Sequence, residues 1–338
     1  MAILNSGTII AVAEETVIGG GKATAWVNGD VVPFQDDSGL TPATESIERS
    51  NFNGSFINCQ ALSGNESTSG SLNLELGIMP ITSTEAGMLS GHLIYKSGLG
   101  KYVSQAADVD LLTHTIVEEA DPVTNATGYD LYRLSKPTEA RTTLAVREYV
   151  GGTGNVIDSK GVVVESIAFD FTAGQLVKVA NTVAGIAYTP STGNTPLASP
   201  TCGGSPFVTK SAVFLVDGVA IDAQNVSLEI ANTNVDRQAI TSTGISDKVT
   251  VKKAVTLSYT LDFTDVSVYT KLKNNTTGSI FIELTNTAGD EIKVYLPVVS
   301  YTEVSKNNDG GVITTAITST AYNDASGNAL YLATKKFV

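Results

Sequence analysis

ATESIER, at residues 43–49, returns as ANTNVDR at residues 231–237. Both segments set carboxylates beside an arginine, as Glu45, Glu48 and Arg49 in the first and Asp236 and Arg237 in the second. Each is followed, after a polar stretch of similar length, by an alternating segment: SLNLEL at 71–76 and TLSYTL at 256–261. Further on, VVVESIAFDFTAGQLVKVANTVAGIAY (162–188) lines up with PVVSYTEVSKNNDGGVITTAITSTAY (297–322). Both halves therefore run in one order: an acidic segment, a strand, then strand–turn–strand closing on a tyrosine. A fixed internal period marks arrays and rings. Here the period is a whole domain, which suits symmetric assembly.

Outward from these echoes the chain reads as β-structure. Thr, Ser, Val, Ile and Gly dominate, with Gly, Asn and Asp at short intervals, the pattern of short strands joined by turns. VFLVDGVAI (213–221) is a hairpin around Asp217-Gly218, and SIFIELTNTAGDEIKVYLPVV (279–299) is a second one turning at Ala288-Gly289-Asp290. One short helix is expected per half. The first falls in residues 82–96, with Thr82 or Ser83 as N-cap and Glu85 in its first turn. The second falls in 262–274, capped by Thr264 or Asp265. The interval from Leu76 to Leu176 is about twice that from Leu261 to Val312, so the first half carries an extra stretch, placed at roughly 105–160. The resulting organisation is a first repeat over 1–190, a linker over 191–206 rich in Pro, Gly, Ser and Thr, and a second repeat over 207–338.

Charge narrows the function. Asp and Glu outnumber Lys and Arg by 34 to 21, a net charge of −13. Binding nucleic acid by phosphate neutralisation needs clustered cations, which this balance excludes, although an acidic surface can face nucleic acid without holding it. No apolar run is long enough for a membrane span, and the N-terminus lacks a basic region and a cleavage site. The two cysteines, Cys59 and Cys202, read as free thiols.

Catalytic and ligand motifs are weak. GGGKAT (19–24) lacks both the first glycine and the hydroxyl residue of a phosphate-binding loop, and reads as a turn. His92 and His114 have no ligand partners at metal spacing. Asp36-Asp37 and the carboxylates of 118–121 read as solvated. No cofactor is called for, and no nucleophile–histidine set can be built from two histidines. A carbohydrate-active β-protein would need clustered acids and aromatics, whereas Trp26 is the single tryptophan.

On the opening GTIIAVAEET, the phrase SGLTPATESIERSNF, its echo NVSLEIANTNVDRQAI and the 162–188 strand pair, the chain resembles the major tail proteins (tail tube proteins) of long-tailed, non-contractile bacteriophages. The resemblance implies β-sandwiches flanked by a short helix, whose inner sheets join between subunits into a ring barrel. Rings stack into a virion tail tube that conducts DNA without specific binding. It also implies a tape measure protein in the lumen, tail terminator and distal tail proteins at the ends, and assembly in the bacterial host cytoplasm. Most members of that family supply one domain per chain in six-membered rings; two domains per chain predict rings of three with pseudo-sixfold symmetry. The other reading is a tandem β-sandwich binding module: a fibre, adhesin or decoration protein. The expected ring and stacking residues are Glu45, Glu48, Arg49, Asn51, Asp236, Arg237, Asp247 and Lys248, with polar loops at 50–70 and 238–253 touching the next ring. The extra stretch is expected on the tube's outside, where nothing repeats against it.

Overall fold

In the computed structural model, the described residues are 8–49, 59–79, 88–106, 109–110, 115–116, 129–200, 205–240, 244–263, 266–309 and 311–335. The fold is all-β. Its elements begin with β1 (Ile9–Glu14), β2 (Gly39–Arg49), β3 (Cys59–Ser71), β4 (Leu74–Glu75) and helix α1 (His92–Leu99). There follow β5 (Gly100–Ala106), β6 (Val109–Asp110), β7 (Thr115–Ile116), β8 (Tyr129–Leu134), β9 (Leu144–Tyr149), β10 (Val156–Thr172), β11 (Lys178–Gly185) and β12 (Ala187–Ser191). The rest is β13 (Val213–Val216), β14 (Val219–Ala220), β15 (Ala223–Gln238), β16 (Ile245–Asp262), helix α2 (Ser267–Asn274), β17 (Thr277–Thr285), β18 (Glu291–Asp309), β19 (Val312–Tyr322) and β20 (Tyr331–Lys335).

One antiparallel sheet crosses the whole chain in the order β2–β3–β11–β10–β15–β16–β19–β18. It stays open, because its end strands β2 and β18 do not pair with each other. The strands β10 and β18 are long and change layers. The first part of β10 lies between β9 and β12, with β1 beyond β9, and the first part of β18 lies between β17 and β20, with β13 beyond β17. These outer layers cover one face of the long sheet. A single apolar cluster fills the space, from Ile10, Val146, Phe169 and Val183 through to Leu228, Tyr259, Ile282 and Ile317.

The pairings of the first half recur in the second, down to their irregularities. The β10–β11 ladder slips between Val164 and Ser166, and the β18–β19 ladder between Tyr301 and Glu303. The β9–β10 ladder slips between Ser159 and Val162, and β17–β18 slips at the corresponding place, between Leu296 and Val299. Bulges bend a strand and sharpen its twist, so matched bulges turn both long strands from one layer into the other at the same point. The buried carboxylate of Glu15 holds the first of these corners. It accepts from the amides of Gly19 (3.0 Å), Gly21 (2.9 Å) and Gly161 (3.0 Å) and from the Thr143 hydroxyl (3.0 Å). The GGG segment is thus a turn wrapped on the chain's own carboxylate.

Several expectations are corrected. Helix α1 starts at His92 because the preceding residues pair instead: Leu89 bridges Ile78, and Met79 N–H donates to Met88 O at 2.8 Å. Residues 82, 83 and 85, the expected cap and first turn, lie outside the described residues, as do 264 and 265 ahead of α2. Helix α2 starts at Ser267. SLNLEL is not one strand, since Asn73 turns its backbone to the loop before β2, accepting from Gln35 N–H (2.9 Å) and donating to Ser38 Oγ (2.8 Å). The expected long loops are largely hairpin strands, β2 with β3 and β15 with β16. An arm that projects from a sheet needs no apolar alternation, so its Ser, Gly and Asn content looked like loop. Within the expected extra stretch of 105–160, β9 and the start of β10 pair as β17 and β18 do, whereas β5 to β8 lie between α1 and β9. Strand β8 of that segment pairs with β20 of the second half.

Candidate assembly surface

Four features of the long sheet bear on function: a polar face, a seam, two open edges and two arms. The face turned away from the core carries small side chains, with Ser67, Ser69, Ala180, Thr182, Ser166 and Ala168 in the first half and Ser227, Thr256, Ser258, Thr318 and Ser305 in the second. Strands with one apolar and one polar face alternate in this way. Asp170, Glu229 and Glu303 lie on this face, with Lys178 opposite Asp170 and, towards the second arm, Lys252 opposite Thr233. A shallow depression runs across it between Asp170, Asn225, Ser258 and Thr318.

The seam is the ladder of β10 with β15, from Ser166 opposite Ala231 to Thr172 opposite Asn225, and it joins the two halves. The open edges are residues 302–308 of β18 and the outer side of β2. Exposed edges are aggregation hazards unless guarded or paired. On β2 the guard is Pro42, which has no N–H, and the Glu148 carboxylate, which accepts from Leu40 N–H at 3.4 Å. Burial pushes the Glu148 carboxyl above the usual carboxylate range, and the Leu40 amide pulls it back in part.

Beyond the seam, β15 and β16 continue as an arm that lies back over the first half. Ile245 packs with Ile186 and Ala187, and Gly244 sits against Asn65. Arg141 Nη2 donates to both carboxylate oxygens of Asp247 at 2.7 Å, and its Nη1 to Lys248 O. Asn232 Nδ2 donates to Gly98 O and Val164 O, both at 3.0 Å. Lys253 Nζ donates to Leu99 O (2.6 Å), Gly98 O (3.2 Å) and Ser135 Oγ (3.0 Å) at the end of α1. Burial pushes the Lys253 ammonium down to about 8, with Glu139 acting the other way.

The expected interface residues fall into two groups, one on each arm. Asp236 and Lys248 form an ion pair of 2.7 Å, and Arg237 faces Asp247 across the ladder, although the Asp247 carboxylate is turned to Arg141. Glu45 and Glu48 are exposed on β2, Arg49 stands opposite Cys59, and Asn51 lies outside the described residues. Sequence reasoning missed Arg141, Asn232 and Lys253. Their partners are backbone carbonyls, a carboxylate and a hydroxyl more than 60 residues away, and no spacing signals that.

His92 is a partly buried histidine, its Nδ1 bonded to the Tyr132 hydroxyl at 2.8 Å and its ring edge-on to Tyr102. Burial, with Lys96 nearby, lowers it to about 4. Among the described residues no group of His, Cys, Asp and Glu could hold a metal ion, and no described helix is long and apolar enough to cross a membrane. His114, Cys202 and residues 118–121 lie outside the described residues, as does the Cys59 side chain.

This all-β chain presents a seam between its halves and open strand edges, a surface suited to joining copies side by side. A family profile described as phage tail tube protein matches residues 5–327. The chain belongs to the phage tail tube protein family. It is a structural component of the virion tail that assembles with itself into a tube. A search of curated proteins returns no match.

Proposed function

We propose that this chain is an internally duplicated tube protein of a long-tailed, non-contractile phage, and that three copies close one ring. The observation that supports this is the β10–β15 seam: one chain joins its two similarly paired halves edge to edge, and leaves the outer edges of β18 and β2 open at its ends. Pairing those edges between copies repeats the seam and removes the liability. Each chain supplies two sectors, so three chains give a pseudo-sixfold barrel of identical subunits about a closed axis.

The Ser/Thr face lines the channel in this reading. Asp170, Glu229 and Glu303 repel phosphate, and small hydroxyl side chains offer no cluster of cations, so DNA passes to the host without being held. Rings stack into the tube around a tape measure protein, with tail terminator and distal tail proteins at its ends, and assembly takes place in the host cytoplasm before the virion forms. Electron microscopy of the purified protein with mass measurement of isolated rings tests this. Hollow rings of three times the 35.2 kDa chain are expected. Six chains per ring would overturn the duplication, and solid fibres would favour the fibre or adhesin reading.

A further inference from the structure

The two helices end alike but are covered differently. Both have eight residues and a left-handed C-cap, Gly100 after α1 and Asn275 after α2. The end of α1 is closed by the second arm, where Lys253 and Asn232 donate to its last carbonyls. A lysine suits that place, because a helix C-terminus carries the negative end of the dipole. Gly98 lets α1 lie close on β10, since a Cβ there would fall 2.5 Å from Ile167 Cδ1. Helix α1 buries Ile94, Tyr95, Gly98 and Leu99, whereas α2 buries no residue.

The corresponding positions carry different charge. The sequence echo sets Ala43 with Ala231, and Thr44 faces Glu66 as Asn232 faces Lys253. Glu66 therefore stands on the first arm where Lys253 stands on the second. Lys273 stands on α2 where Gly98 stands on α1. Lys271 is taken by Asp217 at 2.5 Å, while Lys273 is exposed, and neither Lys273 nor Glu66 makes an ion pair among the described residues. The first arm also shows an exposed cross-strand pair, Ile47 opposite Leu62.

We propose that in the ring the β2–β3 arm of one copy covers α2 of the next copy, with Glu66 against Lys273. This rests on the ring reading above. The seam fixes the register. Ala173 N–H donates to Gln224 O at 3.1 Å, so alternation makes Phe169–Leu228 and Ile167–Ile230 hydrogen-bonded pairs and Ala168–Glu229 a non-hydrogen-bonded one. Carried to the open edges, Ser305 faces Thr41, Lys306 faces Leu40, and Val304 faces Pro42. Pro42 costs this outer seam one ladder bond, and Leu40 must exchange Glu148 for the neighbour. The charges also fix which ends meet. Glu66 placed on α1 would set a carboxylate on bare carbonyls, and Lys253 placed on α2 would meet Lys273. Each arm thus fits one helix, and copies join head to tail.

Disulfide trapping tests the register, in a chain with Cys59→Ser and Cys202→Ser. Thr41→Cys with Ser305→Cys places two thiols on directly opposed, non-hydrogen-bonded positions, close enough to bridge. Mild oxidation of assembled rings is expected to give covalent trimers, and Ala43→Cys with Ser305→Cys is expected to give few. Rings that form without the first cross-link, or that favour the second, overturn the register. Glu66→Lys or Lys273→Glu should raise the concentration at which rings appear about tenfold, and the double reversal should bring it back. Circular dichroism excludes misfolded variants, for which Glu66→Gln and Lys273→Gln stand in. No recovery in the double reversal, with wild-type rings intact, overturns the pairing alone. An absence of wild-type rings overturns the ring reading instead.

Discussion

Replacing Arg141 by Met should loosen the second arm from the first half. Arg141 gives Asp247 two bonds of 2.7 Å and a further bond to Lys248 O, and Asp247 is only 8% exposed. Removing one partner of a buried ion pair costs about 3–5 kcal/mol, because the other charge stays in the interior without compensation. The Arg141 side chain retains 27% exposure, so water screens part of the pair, and about 2 kcal/mol is the expected loss. Urea unfolding of the unassembled chain measures it as a fall in midpoint at constant slope. Adding Asp247→Leu removes the stranded carboxylate and should restore most of the loss, which makes the coupling visible in a double-mutant cycle. Hydrogen exchange should rise in the strands around Asp247 and Lys248 ahead of the rest. A double variant no more stable than Arg141→Met would refute the account, since the arm would then not depend on this pair.

Other predictions follow from buried groups and open edges. Glu15→Gln replaces an oxygen that accepts from glycine amides by a donor, so about 2–4 kcal/mol should be lost, with a matching fall in melting temperature; a loss under about 0.5 kcal/mol would mean that the corner of β10 holds without it. His92 titrates at about 4 in the folded chain against 6.5 ordinarily, so the unfolded chain binds more protons between those values. Stability should therefore fall as pH drops from 6.5 to 4, by up to about 3 kcal/mol, and His92→Asn should flatten that slope in pH-dependent urea titrations. Glu139, held at about 2 mainly by its bidentate bond with Arg133, contributes stability above its ordinary range that is lost as pH falls towards 2. An Arg133→Met variant should be less stable at neutral pH and show a shallower acid loss in the same titration.

By itself the sequence determined the all-β class and the Asp217-Gly218 and Ala288–Asp290 hairpins, because turn chemistry and strand alternation act over a few residues. The phrase ATESIER and its echo marked the two arms for the same local reason. Only the tertiary structure decided where those segments lie. That the polar stretches after them are strands depended on ladders whose side chains carry no apolar signal. Helix α1 began at His92 because Leu89 found Ile78 across the fold, a competition that helix propensity does not contain. The join between the halves, with Asn232 on Val164 O, Lys253 on the end of α1 and Arg141 on Asp247, rests on contacts distant in sequence, and one face of them is backbone that looks the same at every residue.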